Sequence, residues 1–377
     1  MASASQLSIF LLIRSLDVGG AERQLVELAS ALHGGGQKVQ VGVFYRQGPL
    51  ADELDQLGVP IVDLAKRGRW DLIGFFWRLA RVLRQERPSI VYCFLGGANI
   101  AGAIVRPFVP KLKLAWSIRA SDVDLNRYDW SHRLGYRLER FASRAPDIII
   151  ANSNTGRAFA IHNGFPAART IVVFNGIDTD RFMPDVSLRE RQRQAWGLSE
   201  GDVAVGVLAR LDPMKDHQTF LRAAALLADQ RPAIRFLCIG GGPLRGPLEQ
   251  LVRELGIPDR VVFTGEAEPV AALNALDLVC SSSLSEGFPN ALAEAMACGK
   301  TCVATKAGDS AEIIGDTGSI VATRDASALA RAILHQIDTR TASKSGAARQ
   351  RVIDHFSKQA MATKTLIALF QVVNERR

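Results

Sequence analysis

Ser285-Glu286-Gly287-Phe288-Pro289-Asn290-Ala291-Leu292-Ala293-Glu294-Ala295-Met296-Ala297-Cys298-Gly299 follows an apolar segment, Leu276 to Cys280, and passes from a Gly/Pro loop into an Ala-rich helix. Apolar segment, loop and helix in that order describe a strand–loop–helix turn. In an open α/β sheet, ligands bind at such turns. Seven residues separate Glu286, in the loop, from Glu294, early in the helix. Two acids placed there can hold the hydroxyls of a sugar and a ribose. A simpler account of Glu294 is an acid favoured by the helix dipole. A capping box does not explain it, because with Asn290 as cap the acid would stand at Ala293. Ala291, Ala295 and Cys298 are small and suit close helix-to-sheet packing, whereas Glu286 has no comparable structural role.

The same alternation runs outward in both directions. Apolar runs predict strands at 7–13, 38–44, 59–64, 89–94, 112–118, 147–151 and 171–174, then at 203–208, 234–239, 260–263, 277–281, 301–304 and 319–321. Between them lie helix-like segments such as Ala21–Leu32, Leu72–Gln85, 216–229, 244–255, 289–298 and 325–338. Strands alternating with helices argue for parallel sheets with right-handed crossovers. Two such series predict an α/β protein of two Rossmann-like, doubly wound domains, which suits 377 residues of which 47% are apolar. The expected divisions are a first domain over 1–184, a second over 185–355, and a helix over 356–377 that packs back toward the first. The polar stretch Asp185 to Gly201 shows poor periodicity and marks the boundary.

Two further junctions carry candidate ligand groups. Gly19 and Gly20, in Asp17-Val18-Gly19-Gly20-Ala21-Glu22, open a helix after the first strand, where backbone N–H groups can approach an anion. A purely structural turn explains them equally well. Arg210 and Lys215, in Ala209-Arg210-Leu211-Asp212-Pro213-Met214-Lys215-Asp216, flank a strand-to-helix loop and can converge on one diphosphate. The alternative is a solvated loop with two ordinary charges. A carboxylate repels a diphosphate, so the phosphates belong near Arg210, Lys215 and Gly19/Gly20, and the glutamates belong on neutral diols. The implied ligand is a nucleotide-diphosphate sugar. Asp122-Val123-Asp124 and Asp178-Thr179-Asp180 resemble metal motifs, but neither sits at a nucleotide-binding junction. The metal-free reading is favoured, because two cations already supply positive charge.

Charge is uneven. Residues 60–145 hold 16 basic against 7 acidic residues, among them Lys66, Arg67, Arg69, Arg78, Arg81, Arg84, Arg87, Lys111, Lys113, Arg133, Arg137, Arg140 and Arg144. Such a region can meet an anionic membrane or a phosphorylated acceptor, or it can be a set of solvated helix faces. Leu72 to Arg84 is amphipathic, with aromatics beside arginines, and fits either a lipid surface or a helix docked on the sheet. No nucleic-acid motif accompanies the basic residues, so no nucleic-acid partner is expected. Cys93, Cys238, Cys280, Cys298 and Cys302 form no C-x-x-C pair and read as buried thiols of a reducing cytosol. Leu7 to Ile13 is too short for a membrane span and reads as a strand. The expected location is the cytoplasm, with peripheral attachment at the inner face of the membrane.

Together these residues resemble the retaining glycosyltransferases of the GT-B fold known as family 4 or group 1. The most specific part is Glu286-Gly287-Phe288-Pro289-Asn290, then Glu294 to Gly299. Support comes from Ala209 to Lys215, Gly240-Gly241-Gly242-Pro243, Gly19 to Glu22 and Asn175-Gly176-Ile177-Asp178 before Phe182. The resemblance implies an acceptor-binding first domain and a donor-binding second domain on either side of a cleft. It implies that Glu294 holds the ribose and Glu286 contacts the transferred sugar. Backbone groups of Gly287, Phe288, Pro289 and Asn290 would complete the sugar pocket, and Arg210 and Lys215 would stabilise the leaving diphosphate. It implies no metal and no cofactor, and retention by front-face attack. Many relatives carry a histidine after the fifth strand, where this chain has Arg119. A guanidinium cannot relay protons at neutral pH, so Arg119 is assigned to acceptor or phosphate contact, with His132 and His162 as other candidates.

The expected function is metal-independent transfer of a hexose or N-acetylhexosamine from a nucleotide sugar, with UDP favoured. The acceptor is a saccharide or lipid-linked saccharide of cell-envelope polysaccharide or glycoconjugate synthesis. A phosphorylase or sugar-nucleotide epimerase on the same scaffold is the alternative enzyme. A non-catalytic sugar-nucleotide-binding subunit is the alternative of another class.

Overall fold

The computed structural model describes residues 6–68, 70–119 and 130–375, with the main chain alone for 130–134. Arg69, the Asp122-Val123-Asp124 sequence and the side chains of His132 and Arg133 lie outside what is described. The chain divides into two compact units. One comprises the residues up to Gly176 together with those from Lys358, and the other is Ile177–Ser357.

The first unit is built on one parallel sheet of β1 (Ser8–Ile13), β2 (Lys38–Val43), β3 (Ile61–Asp63), β4 (Ile90–Phe94), β5 (Leu114–Ile118), β6 (Ile148–Ala151) and β7 (Thr170–Val172). Its order is β3-β2-β1-β4-β5-β6-β7. The crossovers are α1 (Gly20–Gly34), α2 (Leu50–Gln56), α3 (Ile73–Glu86), α4 (Leu95–Val105), α5 (Trp130–Ala142) and α6 (Asn154–His162). β1 shows why a central strand reads as an unbroken apolar run. Ile9, Leu11 and Ile13 pack with Leu25, Leu28 and Leu32 of α1 on one face. Phe10 and Leu12 pack with Phe75 and Leu79 of α3 on the other. Both faces are covered, so polar alternation disappears, and each fully buried side chain contributes about 2 kcal/mol.

The second unit repeats the plan with β8 (Val203–Leu208), β9 (Ile234–Ile239), β10 (Val261–Gly265), β11 (Leu278–Ser281), β12 (Thr301–Thr305) and β13 (Ser319–Val321), ordered β10-β9-β8-β11-β12-β13. Its helices are α7 (Val186–Ala195), α8 (His217–Ala228), α9 (Arg245–Glu254), α10 (Pro269–Ala275), α11 (Asn290–Ala297), α12 (Ser310–Ile314), α13 (Ala326–Asp338) and α14 (Ala342–Phe356). The strand order reverses between β8 and β11, which leaves a crevice beyond their carboxyl ends. A final helix, α15 (Lys358–Asn374), belongs to the first unit, where Met361, Leu369 and Val372 are buried with the α1 side of the sheet.

The passage from the first unit to the second comes at Gly176/Ile177, earlier than the expected 184/185. Residues 177–184 are bound to the second unit: Arg349 donates to the Thr179 and Phe182 carbonyls at 3.0 and 2.9 Å, and Asn274 Nδ2 donates to Met183 O at 3.0 Å. The return falls at Ser357/Lys358 instead of 355/356, because Phe356 still accepts from Ile177 N at 2.8 Å. The polar stretch after Asp185 is a helix of the second unit, α7. Asp185 caps it by accepting from Leu188 N at 2.9 Å. Arg189 and Arg193, one turn apart, reach inward to the carbonyls that end α10, with contacts from 3.0 to 3.3 Å. Both also reach Asp277, at 2.8 and 3.1 Å. Polar groups dock this helix, so apolar periodicity does not reveal it.

α8 begins on a buried polar residue. Its first residue, His217, is 1% exposed, and among the described residues neither ring nitrogen has a hydrogen-bond partner. Burial pushes its pKa from 6.5 to about 4. The unfolded chain takes up that proton near 6.5 and the folded one only near 4, so this group makes stability fall as pH drops through the window, by about 3 kcal/mol in all. His217→Phe removes two unpaired buried polar atoms as well as the proton site. Urea titrations at pH 6.5 and 4 are expected to show the variant losing about 3 kcal/mol less than the wild type. Equal losses would contradict the burial of a neutral imidazole.

Candidate functional site

The loop after β8 and the loop after β11 are laced together. Ser282 Oγ donates to Lys215 O at 2.8 Å and Leu284 N donates to Met214 O at 2.8 Å. Thr305 Oγ1, ending β12, donates to Ser283 O at 2.6 Å. Local chemistry sets the position of Lys215. Asp212 accepts from Met214 N at 3.0 Å, and Asp216 takes left-handed backbone angles, φ 44°, while accepting from Thr219 Oγ1 at 2.6 Å. Aspartate tolerates that conformation better than most residues. Behind the loop, Gly240 and Gly242 bring their backbone so close to the Ala209 and Leu211 carbonyls that a Cβ at either would collide. This explains the glycines at 240 and 242.

At the centre, Lys215 Nζ stands 2.5 Å from Glu286 Oε1, and Ser283 Oγ donates to the same oxygen at 2.6 Å. The two side chains are 27% and 14% exposed. They line a cavity of about 220 Å³ with Leu208, Ala209, Ser281, Ser283, Phe288, Pro289 and Asn290. The Glu286 backbone is braced from β12: Asp309 N donates to Gly287 O at 3.0 Å, and Gly308, with φ +55°, lies where a Cβ would strike the Glu286 carbonyl. Phe288 is anchored beneath the loop, its ring 5.6 Å from that of Phe356.

The structure thus gathers Lys215, Glu286, Phe288, Pro289 and Asn290 around one cavity. Lys215 and Glu286 are in direct contact. Gly287 backs the wall through its carbonyl. Glu294 sits half-buried one turn along α11, outside the residues that line the cavity. Arg210 also stands outside that lining, 76% exposed, with Nη2 3.2 Å from Asp212 Oδ2.

In the first unit, Gly19 caps α1 in extended backbone and Gly20 begins the helix, with the Glu22 carboxylate folded over Gly19. Arg119 ends β5 held in place: Nε donates to Ser117 Oγ at 2.9 Å, Nη1 to Asn175 Oδ1 at 2.6 Å, and its guanidinium lies 4.8 Å from the Phe94 ring centroid. His162 is exposed at the end of α6. Asp178 Oδ1 accepts from Asp180 N and Arg181 N, each at 3.1 Å, so that D-x-D closes a turn. Among the described residues no cluster of three His, Cys, Asp or Glu has a metal-holding arrangement. All five cysteines are free and buried. Sequence reasoning missed Ser283, Thr305 and the Gly308-Asp309 brace. A glycine four residues beyond the strand predicted at 301–304 is the one signal for the brace.

Comparison with known proteins places these features in a family. Residues 18–181 match the family described as Glycosyltransferase Family 4, and residues 202–339 match Glycosyl transferases group 1. The chain is 25% identical to EpsF of Bacillus subtilis (strain 168) over 316 residues, 80% of this chain and 79% of that protein. It is 32% identical over 208 residues to the GDP-mannose-dependent alpha-(1-6)-phosphatidylinositol monomannoside mannosyltransferase of Mycolicibacterium smegmatis, spanning 54% of that protein's length and 52% of its own. In fold it is similar to Anabaena Alr3699/HepE, solved in complex with UDP, at a TM-score of 0.84 and 23% identity over 97% of this chain and 100% of that one. Two parallel-sheet units with the Lys215–Glu286 pocket at the strand-order reversal of the second, and family matches across both, make this chain a member of the family 4, group 1 glycosyltransferases with the GT-B fold.

Proposed function

We propose that the enzyme transfers a hexose or N-acetylhexosamine, with retention and without a metal, from a nucleotide-diphosphate sugar to a saccharide or lipid-linked saccharide acceptor of cell-envelope polysaccharide or glycoconjugate synthesis. The observation that carries this reading is the Lys215–Glu286 contact inside the second unit's pocket. A nucleotide sugar joins a neutral polyol to a dianionic linker at one bond. An ammonium beside a carboxylate matches that junction, with Glu286 on sugar hydroxyls and Lys215 on the phosphate oxygen that leaves. As the bond from the sugar's anomeric carbon to that oxygen breaks, its electron pair passes to the diphosphate. The acceptor hydroxyl attacks the same face and gives its proton to the departing phosphate.

Arg210, whose side chain is 76% exposed, joins Lys215 on the diphosphate, and Glu294 takes the ribose. Gly287, Phe288, Pro289 and Asn290 shape the sugar site. Gly19 and Gly20 offer a helix N-terminus to the phosphates. Arg119 serves the acceptor beside a cavity of about 200 Å³ that Tyr136 and Glu139 also line. A uridine donor is preferred because HepE, similar in fold, was solved with UDP and with UDP-glucose. The mycobacterial relative's use of GDP-mannose makes a guanosine donor the competitor.

A thermal-shift and hydrolysis panel of UDP-, GDP- and ADP-sugars is expected to single out a UDP-sugar; a response to GDP-sugars alone would overturn that choice. Lys215→Ala should lower kcat by about 10²–10³ with a smaller effect on donor affinity. Full activity in Glu286→Ala would sink the site assignment.

The first unit supports a second part of the proposal, attachment to an anionic membrane. Trp70, Ile73 and Trp77 are 84%, 89% and 62% exposed; Ile73 and Trp77, four apart, share one side of α3, and Trp70 stands in the turn before it. Arg81 lies 5.4 Å from the Trp77 ring centroid. Nearby, Arg84, Arg87 and Lys111 line a groove of about 670 Å³ with Leu83, Val109 and Leu112. Aromatic side chains ringed by arginines suit the headgroup region of a bilayer. Among the described residues no helix is long and apolar enough to cross one. The wild type should float with vesicles containing phosphatidylglycerol, and a variant carrying Trp70→Ser, Ile73→Ser and Trp77→Ser should not. Flotation that ignores anionic lipid would defeat this part of the reading.

A further inference from the structure

The second unit carries another cavity, of about 360 Å³, on the opposite edge of its sheet. Asp277 directly precedes β11 and Lys300 directly precedes β12, whereas Ser283 and Glu286 follow the carboxyl end of β11. The four residues of β11, at ~3.3 Å each, put roughly 13 Å of strand between the two edges.

Arg189 of α7, Lys300, and Arg340 in the turn before α14 line this cavity, with Thr341 and Ser345 from the start of that helix. Asp277 is the one carboxylate among the lining residues. It already serves Arg189 at 2.8 Å, Arg340 at 2.7 Å and, behind the cavity, Arg193 at 3.1 Å. Burial alone would raise the Asp277 pKa, but the Ala204 N–H and the Arg340 and Arg189 guanidiniums outweigh it and hold the carboxyl below its ordinary range. A single carboxylate cannot neutralise three guanidiniums, and Lys300 adds a fourth cation. The Lys300 ammonium donates to Asn274 O at 2.9 Å, and among the described residues no carboxylate is hydrogen-bonded to it. Burial, with Arg189 next, pushes its pKa down to about 8, as expected of a cation whose charge is poorly matched. Arg189 and Arg193 have a structural duty at the end of α10. Arg340, 45% exposed, and Lys300 have charge to spare.

We propose that this cavity binds a phosphate group, at a site separate from the nucleotide-sugar pocket. Donors line the cavity from three directions: the α7 guanidinium, the ammonium before β12, and Arg340 with Thr341 at the start of α14. A phosphate presents oxygens to all of them, and the amino-terminal end of a fifteen-residue helix favours its charge. The ligand is inorganic phosphate, a soluble phosphate ester or the phosphate of a lipid headgroup. α11 links the two sites, since Asn290 at its start lines the nucleotide-sugar pocket and Lys300 follows its end.

The experiment is a titration of the full chain with inorganic phosphate at constant ionic strength, read by calorimetry and by Tm. Saturable binding is expected in the wild type and in Lys215→Ala, which alters only the other pocket. Arg340→Gln and Ala342→Glu should each weaken it at least about tenfold. Ala342→Glu places an acid in the first turn of α14, where the helix favours it, so a stable protein that no longer binds phosphate is the expected result. Absence of saturable binding in the wild type, equal binding in both cavity variants, or loss in Lys215→Ala alone would overturn the proposal. Vesicles containing phosphatidic acid distinguish the sources. Equal flotation of wild type and Ala342→Glu assigns the site to soluble phosphates, and weaker flotation of the variant assigns it to a headgroup.

Discussion

An ammonium and a carboxylate 2.5 Å apart in a partly enclosed pocket make demands on everything that holds them. Taking both charges out of water costs several kcal/mol, and their attraction returns it only where geometry is fixed and the remaining hydrogen-bonding positions are filled. Ser283 fills one of those positions on Glu286. Asp216, in left-handed backbone, sets the turn that aims Lys215. Gly308 lets β12's loop press against the Glu286 carbonyl, and Gly240 and Gly242 let β9's loop press against the loop that carries Arg210. Four strands in the centre of the second sheet therefore share one task. Their order, with the reversal between β8 and β11, is what leaves room for it.

Much of this architecture is legible in the sequence because it rests on apolar side chains. A strand buried on both faces, such as Ser8–Ile13, announces itself as an unbroken hydrophobic run. Every strand of both sheets coincides with a predicted apolar segment to within a few residues, although β2 (Lys38–Val43) is interrupted by Gln40 and β9 by Arg235. Where polar groups do the docking, the signal fails. α7 reads as a boundary because its inward face is made of Arg189 and Arg193, which reach the carbonyls that end α10 and Asp277, more than eighty positions away, while Arg193 also donates to the nearby Ser199 and Asp202 carbonyls.

The site divides along the same line. The residue types at 210, 215, 286 and 288–290 were readable one loop at a time. The contact between Lys215 and Glu286 was not, because it spans 71 positions and depends on how β8 and β11 pair. Charge logic alone separated the cation from the acid, since an isolated lysine seeks phosphate and an isolated glutamate seeks hydroxyls. Placed side by side they describe a junction of both kinds, a sharper constraint on the ligand than either offers alone. The opposite edge of the sheet shows the reverse arrangement, one acid among several cations, and there the surplus charge calls for an anion.

A double-mutant cycle on donor-sugar binding, with Lys215→Met, Glu286→Gln and the two combined, tests the shared role most directly. Calorimetric affinities should give a coupling energy above about 1.5 kcal/mol, because removing either partner strands the other in the pocket. Coupling within about 0.3 kcal/mol of zero would show that the two residues act independently, and would contradict the account of a single paired site.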